Sequence, residues 1–187
     1  MVIIINGKGG CGKDTLIEGL EGHVTTIDPK NARATLRSVF NFSAIDRVKE
    51  IARHGGWKDD KSDKGRKLLH DLKMAFVEYN DMPLNDLKKK VVYWNSEEWN
   101  EPVHFLHIRE PEEITRAVEM FKELGIAVET LLIKRSTTDA HTYGNHADDD
   151  VERYPYNYIF MNDQDLLTSQ SDFRNLIKGI AETRIYH

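Results

Sequence analysis

The segment Gly7–Thr15 reads GKGGCGKDT, and its residue types suit the binding of phosphate. Glycines allow backbone conformations in which successive N–H groups turn toward one anion. Lys13 follows the last glycine, where its ammonium could reach the β- and γ-phosphates of a nucleoside triphosphate and stabilise the charge that develops in phosphoryl transfer. An apolar run, Val2–Ile5, precedes the segment and a helical pattern follows it, which is the context that this motif requires. The spacing therefore predicts ATP as cofactor, Lys13 as a catalytic residue, and nucleotide contacts from Gly7, Lys8, Gly9, Gly10, Cys11, Gly12, Lys13, Asp14 and Thr15.

Asp14 departs from the general pattern, which has Ser or Thr at this position as a ligand of Mg²⁺. Mg²⁺ prefers oxygen ligands and keeps several waters, so an aspartate can hold it directly or through water. The hydroxyl of Thr15, one position later, could face the α-phosphate. We therefore predict Mg²⁺ as a second cofactor with Asp14 as its ligand; the alternative is an acidic residue that only stabilises the first helical turn.

Two arginines follow apolar runs that are typical of buried strands. Arg109 comes after Val103–Ile108, and Arg135 comes after Val128–Ile133. Ligands of open α/β sheets bind at the carboxyl ends of the strands, and the guanidinium fork suits phosphate. Both arginines are therefore predicted as catalytic residues that stabilise the transferring phosphoryl group; the alternative for each is an ordinary surface arginine. The neighbouring Glu110 is a candidate Mg²⁺ ligand, although a glutamate at the start of a helix explains it as well.

The polar stretch WKDDKSDKGR, residues 57–66, is the candidate site for an acceptor substrate. Trp57 could stack on a base, and Lys61 and Arg66 could bind an acceptor phosphate. The alternatives are an aromatic residue that anchors a helix end and a solvated charged surface. Farther along the chain, Asn162 directly follows a predicted strand and is expected to contact the adenine.

The order of apolar and helical patterns predicts one α/β domain over residues 1–187. It implies a three-layer P-loop NTPase fold in which a parallel five-stranded sheet carries helices on both faces. Residues 31–100 are predicted as a helical, acceptor-binding insertion, and the polar residues 134–153 as a lid that closes to exclude water. The five predicted strands are Val2–Ile5, His23–Ile27, Val103–Ile108, Val128–Ile133 and Tyr158–Met161.

The composition limits the classes of partner. The chain has 26 Lys and Arg against 31 Asp and Glu, a formal charge of −5, which argues against a protein that coats nucleic acid. It has no apolar run long enough for a signal peptide or a membrane span, and its single cysteine, Cys11, indicates a reducing, cytoplasmic environment. We expect a nucleoside triphosphate donor and a phosphorylated small-molecule acceptor as partners, and residues 31–100 could also carry a homodimer interface.

The GKDT ending of the loop resembles bacteriophage-type deoxynucleoside monophosphate kinases and, more distantly, animal-type phosphomevalonate kinases. Three further segments resemble parts of those kinases: Gly56–Leu72 the acceptor-phosphate site, Phe105–Ile114 the strand with its arginine, and Asn145–Asp163 the lid and last strand. The resemblance implies a nucleoside monophosphate kinase-like fold and transfer of the γ-phosphoryl group to a (deoxy)nucleoside monophosphate, or to another phosphorylated metabolite. An Asp that is common before the strand-end arginine of these kinases is His107 or Ile108 here.

A second resemblance competes with the first. The residues KGGCGK, 8–13, are similar to the deviant phosphate loop of the ParA/MinD-type switch ATPases, in which the early lysine reaches across a dimer. In this reading Lys8 is the important residue. That family has Ser or Thr after the second lysine, where this chain has Asp14.

Overall fold

The computed structural model describes residues 1–28, 33–96, 101–139 and 151–183. Most of the predicted lid, residues 140–150 of 134–153, therefore lies outside the described residues. The described strands are β1 (Val2–Asn6), β2 (His23–Asp28), β3 (Arg33–Ser43), β4 (Val103–His107), β5 (Val128–Lys134) and β6 (Tyr158–Met161). The described helices are α1 (Lys13–Glu18), α2 (Asp46–His54), α3 (Asp63–Asn80), α4 (Met82–Ser96), α5 (Pro111–Glu123), α6 (Ser136–Asp139) and α7 (Leu166–Thr183), with a 3₁₀ turn at Val151–Arg153.

The described strands form one six-stranded sheet in the order β2-β3-β4-β1-β5-β6. All neighbouring pairs are parallel except β2 and β3, which are antiparallel. β2 ends at Asp28 and β3 begins at Arg33, a link too short for the crossover that a parallel pair needs. The sheet is therefore mixed, and the prediction of five parallel strands was wrong in number and in the direction of β2.

β3 is the strand that the prediction of a helical insertion over 31–100 missed. Arg37, near the middle of this strand, is buried at a position where an apolar side chain would have marked a strand. The guanidinium of Arg37 donates from Nε to Thr26 Oγ1 at 2.9 Å and forms an ion pair with Glu101. The rest of the predicted insertion is mainly helical over the residues that the structure describes, since α2, α3 and α4 follow one another over residues 46–96 and contact each other.

The central strand β1 alternates between two apolar cores, as a strand covered on both faces must. Ile3 and Ile5 face a core that includes α1 and α7, whereas Val2 and Ile4 face a core that includes α4 and α5. The principal helical partners in the two cores are Leu16, Phe173 and Ile177 on one face and Leu87, Ile114 and Phe121 on the other. Helices thus cover both faces of the sheet. None of the described helices combines the length and the hydrophobicity that a membrane span requires.

Candidate active site

The predicted phosphate loop joins β1 to α1 at the centre of the sheet. β1 lies between β4 and β5, although these two strands are consecutive in sequence, so the strand order changes direction at β1. Open α/β sheets bind ligands at the carboxyl ends of the strands where the strand order changes direction. Three glycines of the loop have positive φ: 149° at Gly7, 79° at Gly10 and 91° at Gly12. At Gly7 a Cβ atom would meet the carbonyl oxygen of Ile133 and the Sγ of Cys11, so this position requires glycine for space as well as for conformation.

Lys13 is the first residue of α1, and its ammonium lies over the loop. Nζ donates to the carbonyl oxygen of Gly7 at 2.6 Å and to that of Lys8 at 3.2 Å, and it lies 3.5 Å from the Sγ of Cys11. The cation is therefore held at the carboxyl end of the central strand by backbone groups of the loop itself. A cation in this position can neutralise phosphate oxygens that enter the loop.

Two buried asparagines at the carboxyl end of the sheet contact the loop. Asn6, the last residue of β1, accepts a hydrogen bond from the N–H of Gly7 at 2.8 Å. Asn162, directly after β6, donates from Nδ2 to the carbonyl oxygen of Cys11 at 2.8 Å. The predicted adenine contact of Asn162 stays a prediction, and its side-chain amide is engaged by the loop. Asn6 was missed in the sequence, where its position after an unbroken apolar run was the only signal.

The carboxylate of Asp14 faces His107, the last residue of β4. Asp14 Oδ1 lies 3.6 Å from His107 Nε2, which also lies 2.8 Å from Asn41 Oδ1. Burial lowers the pKa of His107 to about 4; the charge of Asp14 opposes this shift and that of Lys13 adds to it. The imidazole is thus neutral near pH 7.

The donor set around Asp14 fits Mg²⁺ better than a metal held by protein ligands alone. The described part of the chain contains no group of three or more His, Cys, Asp or Glu side chains that could hold a metal. Mg²⁺ commonly takes one or two carboxylates, and substrate phosphates and water complete its coordination. The Asp14 side chain is 76% exposed, so its oxygens are accessible for such a role.

Glu110, the other predicted metal ligand, forms an ion pair with Lys73. Lys73 of α3 is buried and contacts Glu110 Oε2 at 2.5 Å and Glu113 Oε2 at 2.8 Å. Burial alone would raise the pKa of Glu110, but the charge and hydrogen bond of Lys73 outweigh it and lower the pKa. Burial raises the pKa of Glu113 to about 7. Lys73 neutralises the carboxylate of Glu110 through Oε2, and the role of Glu110 as a Mg²⁺ ligand stays a prediction.

Arg109 and Arg135 lie at the carboxyl ends of the two strands that flank β1. Arg109 follows β4 by one residue, and its carbonyl oxygen accepts a hydrogen bond from Asn6 Nδ2 at 2.9 Å. Its charge contributes to the lowered pKa of His107. Arg135 directly follows β5, and both arginine side chains are exposed. The structure therefore places one arginine on each side of the strand that leads into the loop.

The predicted acceptor residues lie between the end of α2 and the first turn of α3. Trp57 is half-buried beneath the guanidinium of Arg53, 5.8 Å from the ring centroid, and its indole N–H has no hydrogen-bond partner among the described residues. Lys61 and Arg66 are exposed. No described hydrogen bond or ion pair joins these three side chains to the phosphate loop, so their role stays a prediction.

Comparison with known proteins bears on the fold. No protein-family model matches the sequence, and a search of curated proteins found no match. Among solved structures, the chain is similar to the tunicamycin resistance protein of Deinococcus radiodurans, with a TM-score of 0.52, 12% sequence identity and 94% of each chain covered. It also matches the APS kinase of Mycobacterium tuberculosis in complex with AMPPNP and APS, with a TM-score of 0.49, 11% identity, and coverage of 95% of this chain and 97% of that chain.

These likenesses concern the fold. The predicted α/β fold with a phosphate loop and helices on both faces is confirmed, with six strands in place of five. No sequence comparison supports the resemblance to bacteriophage-type kinases, which stays a prediction.

Proposed function

We propose that this chain is an ATP-dependent, cytoplasmic kinase that transfers the γ-phosphoryl group to a phosphorylated small molecule, specifically a (deoxy)nucleoside monophosphate. The observation that carries the proposal is the position of Lys13: its ammonium lies over a glycine loop at the end of the central strand. An arginine at each flanking strand end supports it. Catalysis of phosphoryl transfer consists mainly of positioning and electrostatic stabilisation, and these residues supply both.

In the proposed reaction, the loop amides and Lys13 hold the β- and γ-phosphates of ATP. Bound Mg²⁺, held through Asp14, would neutralise charge on the β- and γ-phosphate oxygens. An oxygen of the acceptor phosphate attacks the γ-phosphorus, the bond from that phosphorus to the β,γ-bridging oxygen breaks, and ADP leaves. Arg109 and Arg135 bind the equatorial oxygens of the transferring group, where negative charge accumulates in the transition state.

We assign the acceptor to the helical region 46–96. Trp57 would stack on the acceptor base, while Lys61 and Arg66 would bind its phosphate. The indole ring of Trp57 is half-buried with the guanidinium of Arg53 over it, and Lys61 and Arg66 are exposed. A ligand that contacts all three must therefore extend across the start of α3. Residues 134–153 would act as the lid that excludes water.

The test is a coupled ADP-release screen over ribo- and deoxyribonucleoside monophosphates, with ATP and Mg²⁺ supplied. We expect at least one monophosphate to stimulate ADP release, and Lys13→Ala to lower that rate by at least about a hundredfold. Lys122→Ala, which removes an exposed lysine in the last turn of α5, is the matched control and should keep the wild-type rate. Retained turnover in Lys13→Ala would refute the assignment of the loop.

The switch ATPase is the second candidate, because the residues KGGCGK include the early lysine of that class. It requires ATP-driven dimerisation that depends on Lys8. Sizing of the protein by light scattering with and without ATP separates the two functions. A monomer whose ATP use survives Lys8→Ala supports the kinase, whereas an ATP-dependent dimer that Lys8→Ala abolishes supports the switch.

A further inference from the structure

We infer that Asn6 and Asn162 are positioning residues that hold the phosphate loop in its nucleotide-binding shape before nucleotide binds. We refer to these two residues as the asparagine clamp. The inference rests on the proposed function, since it assigns a purpose to the shape of the same loop. It concerns groups that hold the loop backbone and that do not themselves contact phosphate.

Asn6 fixes the entrance of the loop with every polar atom of its side chain. Its Oδ1 accepts from the N–H of Gly7 at 2.8 Å, and its Nδ2 donates to the carbonyl oxygen of Arg109 at 2.9 Å and to Tyr156 Oη at 2.8 Å. The side chain is only 1% exposed, so water cannot replace these partners. One amide thus ties the first residue of the loop to the backbone of Arg109, the proposed catalytic arginine that follows β4.

Asn162 fixes the far end of the loop. Its Nδ2 donates to the carbonyl oxygen of Cys11 at 2.8 Å, and its own backbone N–H donates to the carbonyl oxygen of Lys134 at 2.8 Å. The residue is 8% exposed. Nδ2 approaches so closely that a Cβ atom at Gly12 would lie 2.5 Å from it. The amide therefore packs directly against the turn that starts α1.

The two contacts act on the two ends of one short loop whose glycines give it little conformational preference of its own. Without them, the loop would have to become ordered when nucleotide binds, and that cost would subtract from the affinity. A planar amide suits both positions because it offers donors and an acceptor without a charge that would repel phosphate. The asparagine clamp therefore keeps the loop ordered in the free protein.

The test uses shape-matched, uncharged variants of each clamp residue, Asn6→Leu and Asn162→Leu. Asn157→Leu is the matched control: Asn157 directly precedes β6, just as Asn162 directly follows it, and its Oδ1 accepts from the N–H and Oγ1 of Thr130. Hydrogen exchange of the amides in residues 7–12 is measured without nucleotide, and the dissociation constant of a fluorescent ATP analogue is measured by titration. Both clamp variants should speed loop exchange and weaken affinity by at least about tenfold, and the control should change neither.

Tyr156→Phe provides a graded variant, because it removes only one of the acceptors of Asn6 Nδ2 and leaves the bond to Gly7. It should change loop exchange and affinity less than Asn6→Leu does. A clamp variant that weakens affinity without faster loop exchange would overturn the inference, since the asparagine would then act on the nucleotide directly. Faster exchange across the whole sheet, or no change in either quantity, would overturn it as well.

The loop-exchange measurement also separates this inference from the proposed function. If wild-type protein did not bind the ATP analogue, the proposed function would fail. In that case, faster loop exchange in the clamp variants would still show that the asparagines hold the loop.

Discussion

Replacement of Gly12 by alanine is the sharpest perturbation of the loop that the structure defines. Gly12 has a φ of 91°, and a non-glycine residue in a left-handed conformation costs about 1–2 kcal/mol. The new Cβ would also lie 2.5 Å from Asn162 Nδ2, so that amide must move away from Cys11. Loss of this buried hydrogen bond costs about 1–3 kcal/mol. Together we expect Gly12→Ala to lower the free energy of unfolding by about 2–5 kcal/mol.

The assay is urea unfolding followed by circular dichroism, combined with titration of a fluorescent ATP analogue. If the loop distorts locally while the protein stays folded, part of this free-energy cost will appear as weaker ATP binding. Each loss of about 1.4 kcal/mol raises the dissociation constant tenfold. Gly9→Ala is the matched control within the same loop, because a Cβ there meets no atom within 4 Å and its φ is not in the left-handed range. We expect that control to change stability by less than about 0.5 kcal/mol. Equal stability and equal affinity of the two alanine variants would refute the reasoning.

Three further variants test other parts of the structure. Lys73→Met leaves the carboxylates of Glu110 and Glu113 without their buried cation and should lower the free energy of unfolding by about 3–5 kcal/mol in a urea titration. Lys67→Met, on the exposed face of the same helix, should lower it by less than about 1 kcal/mol. His104 is buried with a pKa lowered from 6.5 to about 3, so the unfolded state binds its proton first and stability falls as the pH drops below about 6.5. This protonation of His104 should lower the free energy of unfolding by about 2 kcal/mol between neutral pH and pH 5. His104→Phe should remove that loss from the pH profile of unfolding. Arg109→Lys should lower kcat by about tenfold or more with little change in ATP affinity, because lysine lacks the guanidinium fork. Equal losses in kcat and in ATP affinity would contradict a role confined to the transition state.

The local features of the chain could be predicted from the sequence because neighbouring residues determine them. The glycines and Lys13 of the phosphate loop lie within one short segment, and the apolar runs of β1, β4 and β5 mark strands without reference to the rest of the fold. β3 was missed because buried Arg37 interrupts its apolar pattern, and its neutralising partner Glu101 lies 64 residues away.

The contacts that complete the candidate site join distant residues, and no local pattern reveals them. Asn6 bonds to the carbonyl of Arg109 across 103 residues, and Asn162 bonds to Cys11 across 151. Lys73 forms an ion pair with Glu110 across 37 residues, and no local pattern in the sequence indicates this contact. A single sequence contains these residues but not the pairing between them.

The most direct test of the central claim is the fate of the γ-phosphoryl group. The protein is incubated with ATP labelled in the γ-phosphate, Mg²⁺ and each nucleoside monophosphate in turn, and the products are separated by thin-layer chromatography. A kinase of the proposed type transfers the label to a nucleoside diphosphate, and this transfer is lost in Lys13→Ala. Label that appears only as inorganic phosphate, or remains in ATP with every acceptor, would contradict the proposed function.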